Sequence, residues 1–213
     1  MSSNSARPIG DQAILEDFCH YCRRLYERRL VSGVGGNLAL RDGKTTYLSP
    51  SGYSLANLTP ENVVVFKDGE YFPHQAKATR DAAMHLGVLA ARPDIQAVCH
   101  VHGAAIIAAS TLLKPGGDTL PALTPGFAFF AHPLPMLPFL PPGSKELAGA
   151  VRKFLSRSSA HAVLLQNHGL VTVGKNFEAA LNIAEEIDEA AKVFVLTEGK
   201  ARPIPADELA KIG

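Results

Sequence analysis

The chain has 213 residues, of which 46% are apolar, and its 21 basic and 20 acidic side chains leave a formal net charge of +1. That composition can bury one substantial core, and a charge so near balance offers no general attraction for nucleic acid or an anionic membrane, so a small-molecule partner fits better. No apolar run approaches the ~20 residues of a membrane helix, and the opening Met-Ser-Ser-Asn-Ser-Ala-Arg-Pro lacks the hydrophobic stretch of a secretion signal. The expectation is a cytoplasmic protein with a disordered tail at residues 1–10 and one domain over 11–213.

From the N-terminus, apolar residues at helical spacing predict an amphipathic helix over residues 14–30. Within it Cys19 and Cys22 form a CxxC, but no second pair exists to complete a zinc site, so both are read as core-facing helix residues. Three cysteines are also an odd and sparse set for a disulfide framework. Short strands follow at 37–41, 45–48 and 63–66, separated by Asp42-Gly43 and Asp68-Gly69, dipeptides that tight hairpins favour. A helix over 81–91, begun by Thr79 or Asp81 as its cap and stopped before Pro93, leads to a strand at 95–100 and a helix at 104–113. Residues 115–142 are rich in proline, yet their interleaved Phe and Leu side chains predict a packed segment, with strands around Ala128 and Met136, and no interdomain linker. A helix at 144–155, a strand at 162–166, its hairpin partner at 170–173 and a closing helix at 177–197 complete the order. Helices flanking a mainly antiparallel central sheet make an α/β chain, specifically an α/β/α sandwich.

Two phrases carry the chemistry: His100-Val101-His102-Gly103 after the apolar run 95–99, and Asn167-His168-Gly169 after the run 162–166. Side chains two apart on a strand share a face, so His100 and His102 can reach one point. His168 ends its own strand, followed by a glycine that permits a sharp turn. Three converging imidazoles suit a catalytic zinc site, which commonly has three protein ligands and an open position, and they suit Mn²⁺ or Co²⁺ as well. The competing reading is three core histidines satisfied by backbone partners. Cys99, next to His100, should face the other side of its strand as packing. Gly35-Gly36-Asn37 and Pro50-Ser51-Gly52 offer unobstructed backbone N–H groups with a small hydrogen-bonding side chain, as an anion nest needs, although such phrases also serve as plain turns.

The ordered set Gly35-Gly36-Asn37-Leu38, Ser49-Pro50-Ser51-Gly52, Lys77-Ala78-Thr79-Arg80-Asp81 and the two histidine phrases resembles the class II aldolase/adducin family, over about residues 15–212. That family includes fuculose-phosphate aldolase, ribulose-phosphate 4-epimerase and the 3-oxo-tetronate 4-phosphate decarboxylases, and the decarboxylase branch looks nearest. The segments 134–139 and 143–147 and the closing helix add to the resemblance. It implies a carbon–carbon lyase in which a divalent ion, zinc foremost, is held by His100, His102 and His168. Chelated by the hydroxyl and keto oxygens of a small phosphorylated sugar or sugar acid, the ion holds the electron pair of the broken bond as an enediolate. Asn37, Ser51 and Gly52 match phosphate-holding positions, and Thr79 and Arg80 match a helix start whose dipole favours an anion. The family usually places two small hydroxyl residues there; Arg80 replaces one, either strengthening the phosphate site, reaching a substrate carboxylate bidentately, or lying on the surface as an ordinary arginine. Asp81 stands where aldolases and decarboxylases carry an acid/base Glu and 4-epimerases a ligating Asp. It is thereby implied as the catalytic carboxylate, a base or a fourth ligand, besides any capping role. Family members are commonly tetramers whose sites a neighbour completes, so a homo-oligomer is expected.

Two departures from the family pattern bear on mechanism. Aldolase relatives deliver protons with tyrosines, one in the segment matching 123–126 and one near the C-terminus, whereas this chain has no tyrosine after Tyr71. His132 is a stand-in from the same stretch, with a surface or structural role as the alternative. The epimerase acid/base aspartate has no counterpart in 124–130, so epimerisation is the least favoured reaction. Phe127, Phe129 and Phe130 make that region apolar, as a subunit interface or lid would be. Two other classes remain: an assembly module like the adducin head domains, which have lost the histidines, and a decarboxylase or oxygenase of an aromatic acid, for which Asn37 and Ser51 would be dispensable.

Overall fold

The structure is a computed structural model that describes residues 10–73, 75–117, 119–157 and 161–212; apart from Gly10, the expected tail at 1–10 lies outside the described residues. In chain order the elements are α1 (Gln12–Glu27), β1 (Asn37–Asp42), β2 (Thr45–Leu48), two short 3₁₀ turns, β3 (Val64–Lys67), β4 (Glu70–Tyr71), α2 (Ala82–Ala91), β5 (Ala97–Val101), α3 (Ala104–Leu112), α4 (Pro125–Phe130), β6 (Met136–Leu137), α5 (Lys145–Leu155), β7 (Ala162–Leu165), β8 (Gly169–Gly174), α6 (Phe177–Leu196) and α7 (Ala206–Leu209). The strands form a single sheet in the order β4-β3-β2-β1-β5-β8-β7-β6. Every pairing is antiparallel except β6 with β7.

Alternation along the strands divides the core in two, because successive side chains leave a sheet on opposite faces. Leu38, Cys99, Val101 and Leu164 point to a core closed by α1, α3, α4 and α6. Ala39, Val98, Val163 and Val171 point to a second core closed by α2 and α5. The result is the expected α/β/α sandwich. Arg41 ties the layers together at one end of β1, its guanidinium donating to the carbonyls of Leu89, Arg92, Pro93 and Ile95 as the chain passes from α2 to β5. The side chains of Asp11, Ser144 and Asn176 accept from the first-turn N–H groups of α1, α5 and α6 and stop their fraying.

Ala128 lies in α4, not in a strand. Thr124 caps that helix, accepting from Phe127 N–H at 3.4 Å, and Pro125 occupies its first turn, where a missing N–H costs nothing. Phe127 is buried, so only Phe129 and Phe130 carry the expected apolar exposure. Cys19, Cys22 and Cys99 are buried and free, and burial pushes the thiols of Cys19 and Cys99 up to about 11 and about 12, which suits packing and not redox chemistry. Among the described residues no helix is long and apolar enough to cross a membrane.

Candidate metal centre and anion cleft

The ends of β5 and β7 and the start of β1 meet on one side of the sheet. Asn37, first residue of β1, pairs directly with His100 of β5, so their side chains share the α2 face. His102 lies just past β5, two residues beyond His100. The β7–β8 turn passes through Asn167, whose φ of +54° is the left-handed conformation that asparagine tolerates, and carries His168 back over β5. Gly169 permits this approach: a Cβ there would overlap the Val101 carbonyl oxygen and lie 2.9 Å from His102 Cδ2.

The three rings converge through their Nε2 atoms, with His100 to His102 at 2.9 Å and His100 to His168 at 3.3 Å. His100 Nδ1–H donates to the Leu170 carbonyl at 3.0 Å, which leaves its Nε2 as a lone pair aimed at the other two rings. With His102 and His168 in the same tautomer, three converging lone pairs would repel one another unless a cation lay between them. Ligands about 2.0–2.1 Å from a tetrahedral ion stand roughly 3.3 Å apart, so these spacings fit a first-row divalent ion. Among the described residues this is the one His/Cys/Asp/Glu cluster with metal-binding geometry. Burial, reinforced by the neighbouring imidazoles, lowers His100 to about 3 and His102 to about 4, and burial lowers His168 too, so the trio is neutral and ready to ligate near pH 7.

Beside the trio opens a cleft of about 320 Å³ lined by Asn37, Ser51, Gly52, Thr79, Arg80, Asp81, His102 and His168. Every residue expected at the site lies here except His100, which is fully buried behind it. The loop holding Ser51 and Gly52 is fastened to the approach to α2 by Ser51 N–H to Lys77 O at 2.8 Å and Thr79 N–H to Ser49 O at 3.0 Å. Thr79 Oγ1 accepts from Asp81 N–H at 3.3 Å. Arg80 is exposed on the rim and makes no hydrogen bond or ion pair among the described residues.

Asp81 occupies the N-cap position of α2 but makes no capping hydrogen bond. Its Oδ2 instead accepts from Asn37 Nδ2 at 2.8 Å. Burial pushes its carboxyl up, but the positive potential of His100, the Asn37 amide, His85 and His168 outweighs this and holds it below the usual carboxylate range. With the imidazoles neutral near pH 7, the Asn37 amide is the contact that acts on the carboxylate there. His132 does not reach the cleft in this chain; it lines a separate cavity with Phe129, Phe130, Pro135, Arg157 and His161. Two neighbours stand outside the site expected from the sequence: Gly143, which closes the cleft against Arg80, and His85, whose Nε2 meets Asn37 Oδ1 at 2.5 Å. A histidine inside a run of apolar helix residues was the available signal for the second.

Residues 16–195 match the family model for the class II aldolase and adducin N-terminal domain. An L-fuculose phosphate aldolase of Methanococcus maripaludis is 34% identical over 180 residues, covering 84% of this chain and 94% of the relative. A 3-oxo-tetronate 4-phosphate decarboxylase of Pectobacterium atrosepticum is 33% identical over 193 residues, covering 88% and 86%. The solved structure of YgbL from Klebsiella pneumoniae superposes with a TM-score of 0.86 at 27% identity, covering 96% of this chain and 100% of that one. The chain belongs to the class II aldolase and adducin family.

Proposed function

We propose that this protein is a divalent-metal-dependent carbon–carbon lyase acting on a small phosphorylated sugar or sugar acid. The observation that carries the reading is the convergence of three neutral imidazoles through their Nε2 atoms at the mouth of a polar cleft. His100, His102 and His168 would hold the ion, zinc foremost with manganese or cobalt also suited. When bound, it would supply Lewis-acid withdrawal of electron density from the substrate oxygens. The Ser51 hydroxyl and the Gly52 N–H, with the side chains of Asn37, Thr79 and Arg80, hold the phosphate and fix the substrate's distance from the trio. Asp81, ionised and bordering the same cleft, takes or returns the proton as the bond breaks, or turns to the ion as a fourth ligand.

Aldol cleavage and decarboxylation fit the same cleft, because they differ only in the fragment that leaves, an aldehyde or carbon dioxide. Relatives named for each reaction match this chain at 34% and 33% identity. We place the enzyme in the cytoplasm as one domain over residues 11–213 and as a homotetramer, with Phe129 and Phe130 as exposed apolar surface available to an interface. The test is to load the protein with zinc or manganese and screen three- to six-carbon sugar phosphates and oxo-acid phosphates. Release of aldehyde or carbon dioxide that ceases with chelator is the expected result. Activity undiminished by chelation, or none on any phosphorylated substrate, overturns the proposal.

A further inference from the structure

We propose that His85 is a positioning residue for this site: its Nε2–H fixes which way the Asn37 side-chain amide faces, and through it the placement of Asp81. The inference rests on the reading that Asn37 and Asp81 serve the reaction. Its geometry stands on three groups in line. His85 Nε2 lies 2.5 Å from Asn37 Oδ1, and Asn37 Nδ2 lies 2.8 Å from Asp81 Oδ2.

The hydrogen-bonding capacity of these groups allows one arrangement. An ionised carboxylate only accepts, so the amide nitrogen of Asn37 must face Asp81. Its oxygen must then face His85, and since that oxygen also only accepts, the proton of His85 has to sit on Nε2. With the amide turned over, oxygen would oppose carboxylate and N–H would oppose N–H, so a single imidazole proton blocks the flip. Without that donor, the Asp81 carboxylate is left as the one group opposing the flip, and the amide, in a residue that also walls the anion cleft, is held from one side instead of two.

A packing histidine is the competing explanation, and the surroundings of His85 argue against it. The ring is fully buried, and it is the only polar side chain in α2, Ala82–Ala91. Its Nδ1 has no hydrogen-bond partner among the described residues. An unpaired buried acceptor is costly, and leucine at the same place would avoid that cost. What the imidazole supplies in return is the donor to Asn37.

The test has a spectroscopic arm independent of turnover and a kinetic arm. A long-range ¹H–¹⁵N correlation spectrum of the purified protein, with the His85 ring assigned by its loss in His85→Gln, is expected to report the Nε2–H tautomer and a shift of that signal in Asn37→Ala. A His85 Nδ1–H tautomer, or no response to Asn37→Ala, overturns the proposal. In the kinetic arm, His85→Leu is expected to retain parental metal content and lose on the order of 10–100-fold in kcat/KM. His85→Gln, which keeps an N–H donor, should recover part of that loss. The double variant His85→Leu/Asn37→Ala should be no slower than Asn37→Ala alone, because one effect runs through the other. Multiplying losses, or a His85→Leu enzyme as fast as its parent, would also overturn it. A parent protein inactive on every phosphorylated substrate defeats the proposed reaction instead, and the tautomer still decides the role of His85.

Discussion

Gly169→Ala tests whether the backbone itself brings the three histidines together. The new methyl would overlap the Val101 carbonyl oxygen and stand 2.9 Å from His102 Cδ2, where carbon atoms ordinarily sit no nearer than about 3.5 Å. Because the Val101 oxygen is backbone, β8 must withdraw from β5, and the His102 contact alone asks for a shift of roughly 0.6 Å. Ligand constellations tolerate only about 0.5 Å of such displacement. Overpacking of this kind costs on the order of 1–3 kcal/mol, which in a chain of this size lowers the melting temperature by about 2–10 °C. Metal affinity should fall roughly 10–100-fold, the usual effect of disturbing what orients a ligand. Competition with a chromogenic chelator gives the affinity, and thermal denaturation of the metal-free protein gives the stability. A Gly169→Ala protein that binds metal and melts like its parent would refute the claim that Gly169 is required for the approach of His168 to His102.

Further consequences concern acid, charge and the anion cleft. Burial holds His85 at about 4 when folded against an ordinary value of 6.5, so the unfolded chain takes up its proton first. The contribution of His85 to the stability of the metal-free protein should therefore be full above about pH 6.5, fall as pH drops toward 4 and level off below, a loss of about 3 kcal/mol. His100 and His102, lowered to about 3 and about 4, act in the same direction. Urea denaturation at a series of pH values checks this, and a flat profile contradicts it. Arg80→Ser should raise KM for a phosphorylated substrate about 10-fold or more while leaving metal content unchanged, since the guanidinium is on the rim with no partner among the described residues. Unchanged KM would place Arg80 among ordinary surface residues. Asn37→Ala should weaken binding of inorganic phosphate measured by calorimetry, and unaltered phosphate affinity would remove Asn37 from the anion cleft.

The parts of this molecule that obey short-range rules were legible in the sequence. His100 and His102 sit two apart after a buried run, and the period of a strand puts them together without knowledge of the rest. The Asp-Gly hairpins are equally local. The proline-rich segment misled because Pro125 after Thr124 reads as extended chain unless the pair is recognised as a cap and first helical turn. Asp81 was placed at the right helix end for a reason that fails, since its carboxylate is held by Asn37 from 44 residues away and not by its own helix. His85 stands out in the sequence only as the one polar side chain of the apolar helix that follows Asp81. Its role depends on the register that sets Asn37 opposite His100, and pairing register is a long-range property that neither segment encodes alone.

The most direct test of the central claim, that three histidines hold an ion the reaction needs, is elemental analysis of the parent and His100→Ala proteins after reconstitution. About one zinc or manganese per chain is expected in the parent. In His100→Ala both metal and turnover should be lost while circular dichroism shows the fold retained. Stoichiometric metal in His100→Ala, or none in the reconstituted parent, would contradict the claim, and the second outcome would point to a binding or assembly module built on this fold.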